Sequence, residues 1–491
     1  MTLQDLLNAL HTGWDGFWAI PHIKTWLILG WLTYLVWLGG WIILQKREPA
    51  ATLSWLMSLA FLPYLGFLIY YLLGPQKIDR HRLRRARRRV ALAAFDDESS
   101  NPEYAEMQRM VLATTGFPPA SATHVDMLVD GSHKYPRLLQ DIATATREVH
   151  VEYYIYEPDQ NGTALRDALT AAAKRGAKVR LLLDAVGSKK ASKKFFQPLL
   201  DAGGELAWFH PMRLGRVWKF WKRPWVNLRT HRKIVLIDGR IGYTGGINIT
   251  DEQDDRLRTD AYRDLHLRME GNVVRELQQV FVEDWIYATD DRSLISDVVK
   301  GMPPLVAGDI PVQIVSSGPD SRWEAIHRAH VSAIHAAHHR VWMTTPYFVP
   351  GEAAMMALTS AALGGIDVRL MVPKMSDSKL VTFAARSYYD ALLAAGVKLY
   401  EYGPRMLHSK TLLVDDDLAM IGSANFDHRS FRLNFEVHAI IHDRHIAGEL
   451  EKLIEGEFAH APRVRDPGTD RRPLFTARLP EAIARLMSPL L

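Results

Sequence analysis

The sequence of 491 residues contains no cysteine. This absence excludes disulfide bonds, thiolate metal ligands and cysteine nucleophiles. The 20 histidines include no H-E-x-x-H or similarly spaced metal motif. His335, His338 and His339 lie close together near the end of a predicted helix, and we interpret them as solvated. We therefore expect neither a metal site nor another cofactor.

The chain also lacks a broad excess of charge. Its formal net charge is +5, but residues 77–89 alone hold eight Lys or Arg and one Asp, so the rest of the chain carries −2. A local basic arm of this kind favours one nearby anionic partner over an extended nucleic-acid surface. No nucleic-acid partner is therefore expected.

Charge is absent from two long stretches near the N-terminus. Residues 25–44 form an uncharged apolar run, and residues 51–74 form a second one that contains Pro63. Each run can cross a hydrocarbon core of about 30 Å as a helix, and their Trp and Tyr residues suit the water–lipid boundary. Two alternatives stay open: buried helices of a soluble protein, and a shallow re-entrant hairpin bent at Pro63. The prediction is an N-terminal segment, residues 1–74, with transmembrane helices at about 25–44 and 51–74.

The short connection between the two runs predicts a hairpin whose outer flanks lie on the same side of the membrane. The basic arm follows the second run, so the positive-inside rule places the rest of the chain in the cytoplasm. We interpret residues 75–122 as this arm and a linker with one helix, and expect the globular part to start near His124. The arm either binds anionic headgroups, at about 1 kcal/mol per basic residue, or only sets the topology. No basic n-region or small-residue cleavage site precedes the first run, so a removable signal peptide is not expected.

The remaining chain repeats one order of strands and helices. The matching segments are residues 149–156, 165–175 and 178–184 in the first half, and residues 340–348, 353–363 and 368–372 in the second. Strands that alternate with helices predict an α/β fold, with a mixed β-sheet flanked by helices. We expect two pseudo-repeated domains, residues 123–300 and 301–491, that share one active site.

Each half carries the pattern H-x-K-x4-D, followed by a glycine corner and an asparagine. The pattern residues are His231, Lys233, Asp238 and Asn248 in the first half, and His408, Lys410, Asp415 and Asn425 in the second. Because strand side chains alternate with a period of two, the histidine and lysine of one pattern point to the same face. Joining the halves would bring two imidazoles, two ammonium groups and two amides into one pocket.

Such a cationic pocket, rich in hydrogen-bond donors, suits a phosphoryl group whose charge grows in the transition state. One histidine can attack phosphorus while the other, protonated, gives a proton to the leaving alcohol and later takes one from the acceptor. A single H-x-K is usually an ordinary surface strand. The full pattern, present twice with glycine and asparagine at matching offsets, is highly specific.

In these motifs the sequence resembles the phospholipase D superfamily and, within it, the bacterial cardiolipin synthases. Both copies match the superfamily signature H-x-K-x4-D-x6-G-[GS]-x-N. The narrower resemblance rests on the N-terminal hairpin with its basic arm and on four segments, residues 227–234, 345–350, 425–436 and 485–491. It implies a multi-pass protein of the bacterial inner membrane that converts two phosphatidylglycerol molecules into cardiolipin and glycerol. A phosphohistidine would form on the way, without a metal. A hydrolase of the same superfamily, or a transferase that takes phosphatidylethanolamine as second substrate, stays open.

The resemblance also implies roles for the motif residues. His231 is expected to be the nucleophile and His408 the acid and base, although the reverse assignment stays open. The phosphate oxygens would be held by Lys233, Lys410, Asn248 and Asn425. Relatives carry a carboxylate some thirty residues after each histidine, which orients the imidazole; Asp264 and Glu436 are placed similarly. Asp238 and Asp415 belong to the signature and are grouped with the catalytic residues, but we expect them to hold the turn through hydrogen bonds.

Two further segments are amphipathic. Residues 213–229 interleave Arg and Lys with Trp and Phe, which suits a membrane interface, single-stranded nucleic acid or a buried loop. Beside a membrane hairpin, we favour a lip that admits lipid. Residues 479–491 either pack on the core or rest on the membrane. The oligomeric state stays open, because two repeats already complete one site.

Overall fold

The structure, a computed structural model, describes residues 14, 16–44, 49–62, 65, 66, 68, 70, 104–211, 227–304, 306–321, 323–465 and 473–488. The described residues fall into two compact units, an N-terminal one within residues 1–75 and a larger one that contains all the others. The basic arm at 77–89, residues 213–226 of the aromatic and basic stretch, and residues 489–491 lie outside the described residues.

The N-terminal unit contains two apolar helices, α1 (Ile23–Leu44) and α2 (Pro49–Phe61). With 22 residues, α1 is about 33 Å long at 1.5 Å per residue, which matches the predicted first span. It is the one helix among the described residues that is long and apolar enough to cross a membrane. The described part of α2 has only 13 residues and ends just before a bend at Leu62. The second transmembrane helix therefore stays a prediction, since several of its residues lie outside the described ones.

The larger unit is an α/β domain built from two similar halves. The strands of the first half are β1 (Ala120–Val129), β2 (Glu148–Tyr153), β3 (Lys178–Asp184), β4 (Glu205–Phe209), β5 (Arg229–Thr230), β6 (Ile234–Ile237), β7 (Ile241–Gly245) and β8 (Leu265–Gly271). The strands of the second half are β9 (Ile310–Ser317), β10 (Arg340–Thr344), β11 (Phe348–Val349), β12 (Asp367–Pro373), β13 (Lys398–Tyr402), β14 (Thr411–Val414), β15 (Leu418–Gly422), β16 (Phe426–Asp427) and β17 (Asn434–His442).

Helices surround these strands. In chain order they are α3 (Ala105–Thr115), α4 (Asp130–Ala143), α5 (Gln160–Lys174), α6 (Gln197–Asp201), α7 (Val273–Thr289), α8 (Ser293–Gly301), α9 (Ala325–His335), α10 (Glu352–Leu363), α11 (Lys379–Arg386), α12 (Tyr389–Ala394), α13 (His428–Arg432), α14 (Arg444–Phe458) and α15 (Leu479–Leu486). A 3₁₀ turn lies at Asp251–Gln253, and a π-helical turn at Leu474–Arg478 leads directly into α15.

One continuous mixed sheet runs through both halves. Its order is β13-β12-β10-β14-β15-β17-β9-β1-β8-β7-β6-β2-β3-β4, with β5 added beside β17. Counted from either edge, equivalent strands of the two halves follow one another in the same order. The halves meet where β1 pairs with β9, with Ala120 opposite Val312. The predicted fold of two repeats around a mixed sheet is thus confirmed.

Apolar side chains fill both faces of the sheet. In β6, Ile234 and Leu236 enter a core shared by both halves, which α7 and α14 cover. Val235 and Ile237 point to the other face, into a core that belongs to the first half alone. The second half has an equivalent core of its own beneath α9 and α10. The motif residues 231–233 and 408–410 precede β6 and β14 and belong to neither strand, so the prediction that strand alternation places each histidine and lysine on one face was wrong.

Two boundaries predicted from the sequence were wrong. Helix α3 does not belong to a linker: its Met107 and Val111 are buried in the core of the second half, and Tyr104 Oη donates to Asp417 Oδ1 at 2.8 Å. The globular unit therefore starts well before His124. The single strand predicted for residues 340–348 is interrupted after Thr344, because β11 leaves the main sheet to pair with β16.

Candidate active site

The two motif histidines are each held by the opposite half of the molecule. Strand β5, which precedes His231, pairs in parallel with the start of β17, and the His231 amide donates to the Phe435 carbonyl at 2.9 Å. In the other direction, the His408 amide donates to the Arg263 carbonyl at 2.7 Å. Both imidazoles are thereby positioned by main-chain bonds between the halves, and both side chains are buried.

The orienting carboxylates are exchanged between the halves in the same way. Chain order would pair each histidine with the carboxylate that follows it some thirty residues later. Instead, His231 Nδ1 lies 2.9 Å from Glu436 Oε1, and His408 Nδ1 lies 2.6 Å from Asp264 Oδ2. In each pair the imidazole donates its Nδ1 proton to a carboxylate, which leaves Nε2 free to act.

The two motif lysines lie beside these pairs and are almost fully buried. Lys233 Nζ donates to the His231 carbonyl at 2.7 Å, and Lys410 Nζ donates to the His408 carbonyl. Burial, reinforced by the charge of Lys410, lowers the pKa of Lys233 to about 7. Burial lowers the pKa of Lys410 to about 8 against the opposing charge of Asp264. The two buried lysines are close enough to affect each other's charge, and an anion between them would favour their charged forms.

The carboxylates keep their charge although they are buried. Burial alone would raise the pKa of Glu436, but contact with His231 and the charge of Lys233 outweigh it and lower this pKa to about 2. Lys410 and His408 likewise outweigh burial and lower the pKa of Asp264.

The imidazoles are shifted towards the neutral form. Burial lowers the pKa of His231 to about 4, although Glu436 opposes this shift. Burial and the charge of Lys410 lower the pKa of His408. Without an anion in the pocket, both rings are therefore neutral at pH 7, which is the form that a nucleophile requires.

The two motif asparagines occupy equivalent positions in the two halves. Asn248 and Asn425 are buried, and the main-chain amide of Asn248 donates to Gln253 Oε1. At the equivalent position of the second half, the main-chain amide of Asn425 donates to Ser430 Oγ at 3.2 Å. Within the described part of the chain, Asn425 Oδ1 has no hydrogen-bond partner. Asn425 Oδ1 is therefore a buried acceptor that is available to a bound group.

Asp238 and Asp415 lie at the far ends of β6 and β14, away from the histidines. Both adopt a positive φ, 53° and 48°. Asp238 accepts hydrogen bonds from the amides of residues 146–148 and from Thr146 Oγ1, and Asp415 accepts from the amides of residues 338–340. Their grouping with the catalytic residues is therefore corrected: each carboxylate ties the end of a motif strand to the start of its neighbour.

Two contributors to the site were not predicted from the sequence. Ser423 Oγ donates to Glu436 Oε2 at 2.5 Å, whereas the equivalent Gly246 has no room for a side chain beside Asp264. The sequence did contain a sign of Ser423: the first motif has two glycines at this corner, whereas the second has glycine and then serine. Gln253 Nε2 lies 3.1 Å from His408 Nδ1 and 3.4 Å from Asp264 Oδ2, and nothing in its spacing marks it.

Aromatic rings flank both histidines. The ring of Tyr154 stands edge-on to His231 at 4.9 Å between centroids, and the ring of Tyr262 lies 5.5 Å from His408. His335, His338 and His339 are exposed, as predicted. Among the described residues, no group of three or more His, Asp or Glu is arranged to hold a metal ion.

Comparisons with known proteins identify the family of the chain. The description "Cardiolipin synthase, PLD-like domain" matches residues 138–285 and 331–457, and "Phospholipase_D-nuclease N-terminal" matches residues 35–75. The chain belongs to the cardiolipin synthase family. Cardiolipin synthase of Geobacillus kaustophilus (strain HTA426) is 37% identical over 99% of this chain and 98% of its own. That of Geobacillus sp. (strain WCH70) is 39% identical over 92% and 91%.

The solved structures support the fold. Phosphatidylserine synthase of Haemophilus influenzae Rd KW20 covers 79% of this chain and all of its own, with a TM-score of 0.59 at 14% identity. Family membership makes the chain a phospholipid transferase of the phospholipase D superfamily. Together with α1, it indicates association with a membrane.

Proposed function

We propose that the enzyme joins two phosphatidylglycerol molecules into cardiolipin and glycerol through a phosphohistidine intermediate. One observation carries the proposal: two neutral imidazoles, each fixed by a carboxylate of the opposite half, lie beside two buried lysines. A phosphodiester supplies the negative charge that this pocket lacks. Its charge also raises the pKa of the nearby imidazoles, so that one of them becomes an acid.

In the first step, His231 Nε2 attacks phosphorus and the bond from phosphorus to the headgroup glycerol oxygen breaks. His408 Nε2 donates a proton to that oxygen, and glycerol leaves. Lys233 and Lys410, with Asn248 and Asn425, hold the phosphate oxygens as charge accumulates on them. The phosphatidyl group is then bonded to His231, whose positive ring is stabilised by Glu436.

In the second step, a headgroup hydroxyl of another phosphatidylglycerol gives its proton to His408. Its oxygen attacks phosphorus, the bond from phosphorus to His231 breaks, and cardiolipin leaves. Both imidazoles return to their starting protonation states, so no oxidant, reductant or metal takes part in the balance.

The test uses the full chain in detergent micelles with phosphatidylglycerol labelled in the headgroup. The expected result is cardiolipin and glycerol in equal amounts, with a phosphatidyl adduct on the His231 peptide after acid-free quenching. His231→Ala should abolish both products, and the exposed His335→Ala serves as the matched control. Phosphatidic acid without cardiolipin would instead establish a hydrolase. Faster cardiolipin formation with ethanolamine release, after phosphatidylethanolamine is added, would establish a different second substrate.

The membrane arrangement belongs to the same proposal. We infer that residues 25–44 and 51–74 form a transmembrane hairpin in the bacterial inner membrane, and that the catalytic repeats, divided near residue 301, lie in the cytoplasm. The chain has no cysteine, so single cysteines at Ala171 and at Gln45 can be labelled in intact cells with an impermeant maleimide. Labelling of Gln45→Cys but not of Ala171→Cys is expected. The opposite pattern would overturn the orientation.

A further inference from the structure

The C-terminal helical segment, residues 474–486, is held on the catalytic unit by one narrow face. Ala484 and Ser488 are buried on that face, and Tyr388 Oη lies 3.2 Å from Ser488 Oγ. The guanidinium of Arg485 lies 4.9 Å from the centre of the Tyr388 ring. The segment packs along α11 and is therefore a fixed part of the unit.

The outer face of this segment is apolar and open. Its exposed fractions are 77% for Phe475, 44% for Leu479, 53% for Ile483 and 80% for Leu486. These residues follow one another at intervals of four, four and three, which places them on one side of a helix. A contiguous row of large apolar side chains in water marks a surface that another apolar phase covers.

Within the described segment itself, the exposed charges have one sign. Arg478 and Arg485 are exposed beside it, whereas Glu481, the acid of the described segment, is turned inward and buried. An apolar row edged by arginine matches the surface of an anionic bilayer, where the row enters the acyl boundary and the guanidinium groups meet headgroup phosphates.

The segment is also connected to the pocket. Helix α11, on which it packs, begins just after Asp377, whose carboxylate accepts a hydrogen bond from Tyr347 Oη at 2.7 Å. The negative charge of Asp377 raises the pKa of the motif residue Lys410. Met375 and Leu380, on either side of Asp377, are themselves exposed and extend the apolar surface towards the site.

We propose that the exposed face of residues 475–486 lies in the surface of a bilayer that contains phosphatidylglycerol, and orients the pocket towards the headgroups. The proposal rests on the proposed phospholipid substrate. It adds a second membrane contact, made by the catalytic unit itself, to the anchorage that α1 provides.

The first test measures depth directly. A spin label is attached to Ile483→Cys in the otherwise cysteine-free full chain, in nanodiscs of phosphatidylethanolamine and phosphatidylglycerol. The label should be more accessible to oxygen than to a water-soluble nickel chelate, and the exposed Ala171→Cys on α5 should show the reverse. Equal accessibility at both positions would overturn the proposal. Shielding in detergent as well, with cross-linking between Ile483→Cys chains, would instead assign the face to a second copy.

The second test separates docking from chemistry. The double variant Leu479→Glu with Ile483→Glu should lose about tenfold in kcat/KM on nanodisc phosphatidylglycerol, because two charges then enter the acyl boundary. Its rate with monomeric dihexanoyl phosphatidylglycerol should stay unchanged. Equal rates on nanodiscs would overturn the proposal. If the parent protein makes no cardiolipin from either substrate while the Ile483 label is immersed, the proposed reaction fails but the docking surface stands.

Discussion

Replacing Glu436 with Gln conserves the volume of the side chain and removes its charge. Glu436 is fully buried, and its two oxygens accept from His231 Nδ1 at 2.9 Å and from Ser423 Oγ at 2.5 Å. A glutamine has one accepting oxygen. If that oxygen serves Ser423, its amide faces Nδ1 and drives the imidazole proton to Nε2, the atom that attacks phosphorus.

The expected loss follows from this change of tautomer and from the missing support for the charged ring. In the serine protease triad, the corresponding Asp→Asn change lowers kcat by about 10⁴-fold, so Glu436→Gln should lose about 10³- to 10⁴-fold, or about 4 to 5 kcal/mol of transition-state stabilisation. Asp264→Asn should lose less, since general acid catalysis contributes about 10²- to 10⁴-fold.

A substrate with an activated leaving group reveals which histidine each carboxylate serves. Release of p-nitrophenol from phosphatidyl-p-nitrophenol needs no proton, so a variant that lacks only the acid should recover its first step. We expect Glu436→Gln to behave like His231→Ala, and Asp264→Asn like His408→Ala. Thermal melts show that each variant is folded. If Glu436→Gln instead groups with His408→Ala, the exchange of carboxylates between the halves is refuted, whichever histidine is the nucleophile.

Three other changes test single features of the site. Because burial lowers the pKa of Lys233 to about 7, it loses its charge as the pH rises; kcat/KM should therefore fall above about pH 7, and a profile flat to pH 10 would contradict this. Asp238→Asn should lower stability by about 1 to 3 kcal/mol, seen in denaturant melts, through weaker bonds to the amides of residues 146–148, yet leave the kcat of the folded protein close to that of the parent. Gly246→Ala should abolish activity without unfolding the protein, because the added Cβ would lie 2.1 Å from Asp264 Oδ1. Gly448→Ala, on the open side of α14, is the control. An active Gly246→Ala variant would contradict the geometry.

The features that the sequence predicted are those with a local cause. The doubled motif predicted two equivalent halves, and the sheet order reads the same from both edges. The asparagine offsets predicted two equivalent positions, and both Asn248 and Asn425 are buried. Asp238 and Asp415 were expected at the turns, where their carboxylates bind neighbouring amides.

The features that escaped prediction depend on contacts between distant parts of the chain. His231 and Glu436 are 205 residues apart, and no pattern near either residue distinguishes this pairing from one within a half. The segment that holds α3, residues 96–123, looks like a linker because it is largely polar, and only the core of the second half explains the burial of Met107 and Val111. Gln253, in the first half, likewise contacts His408 of the second half.

The exchange of carboxylates explains why one chain carries both repeats. A single half would present a histidine whose Nδ1 lacks a carboxylate, and a carboxylate buried without its cation, which is costly in a protein interior. Pairing of β1 with β9, together with β5 beside β17, brings the two halves into the register that satisfies both pairs at once. The sheet interface and the active site are therefore one structure. A change that loosens the central strands should weaken both imidazole–carboxylate pairs together, because neither pair lies within one half.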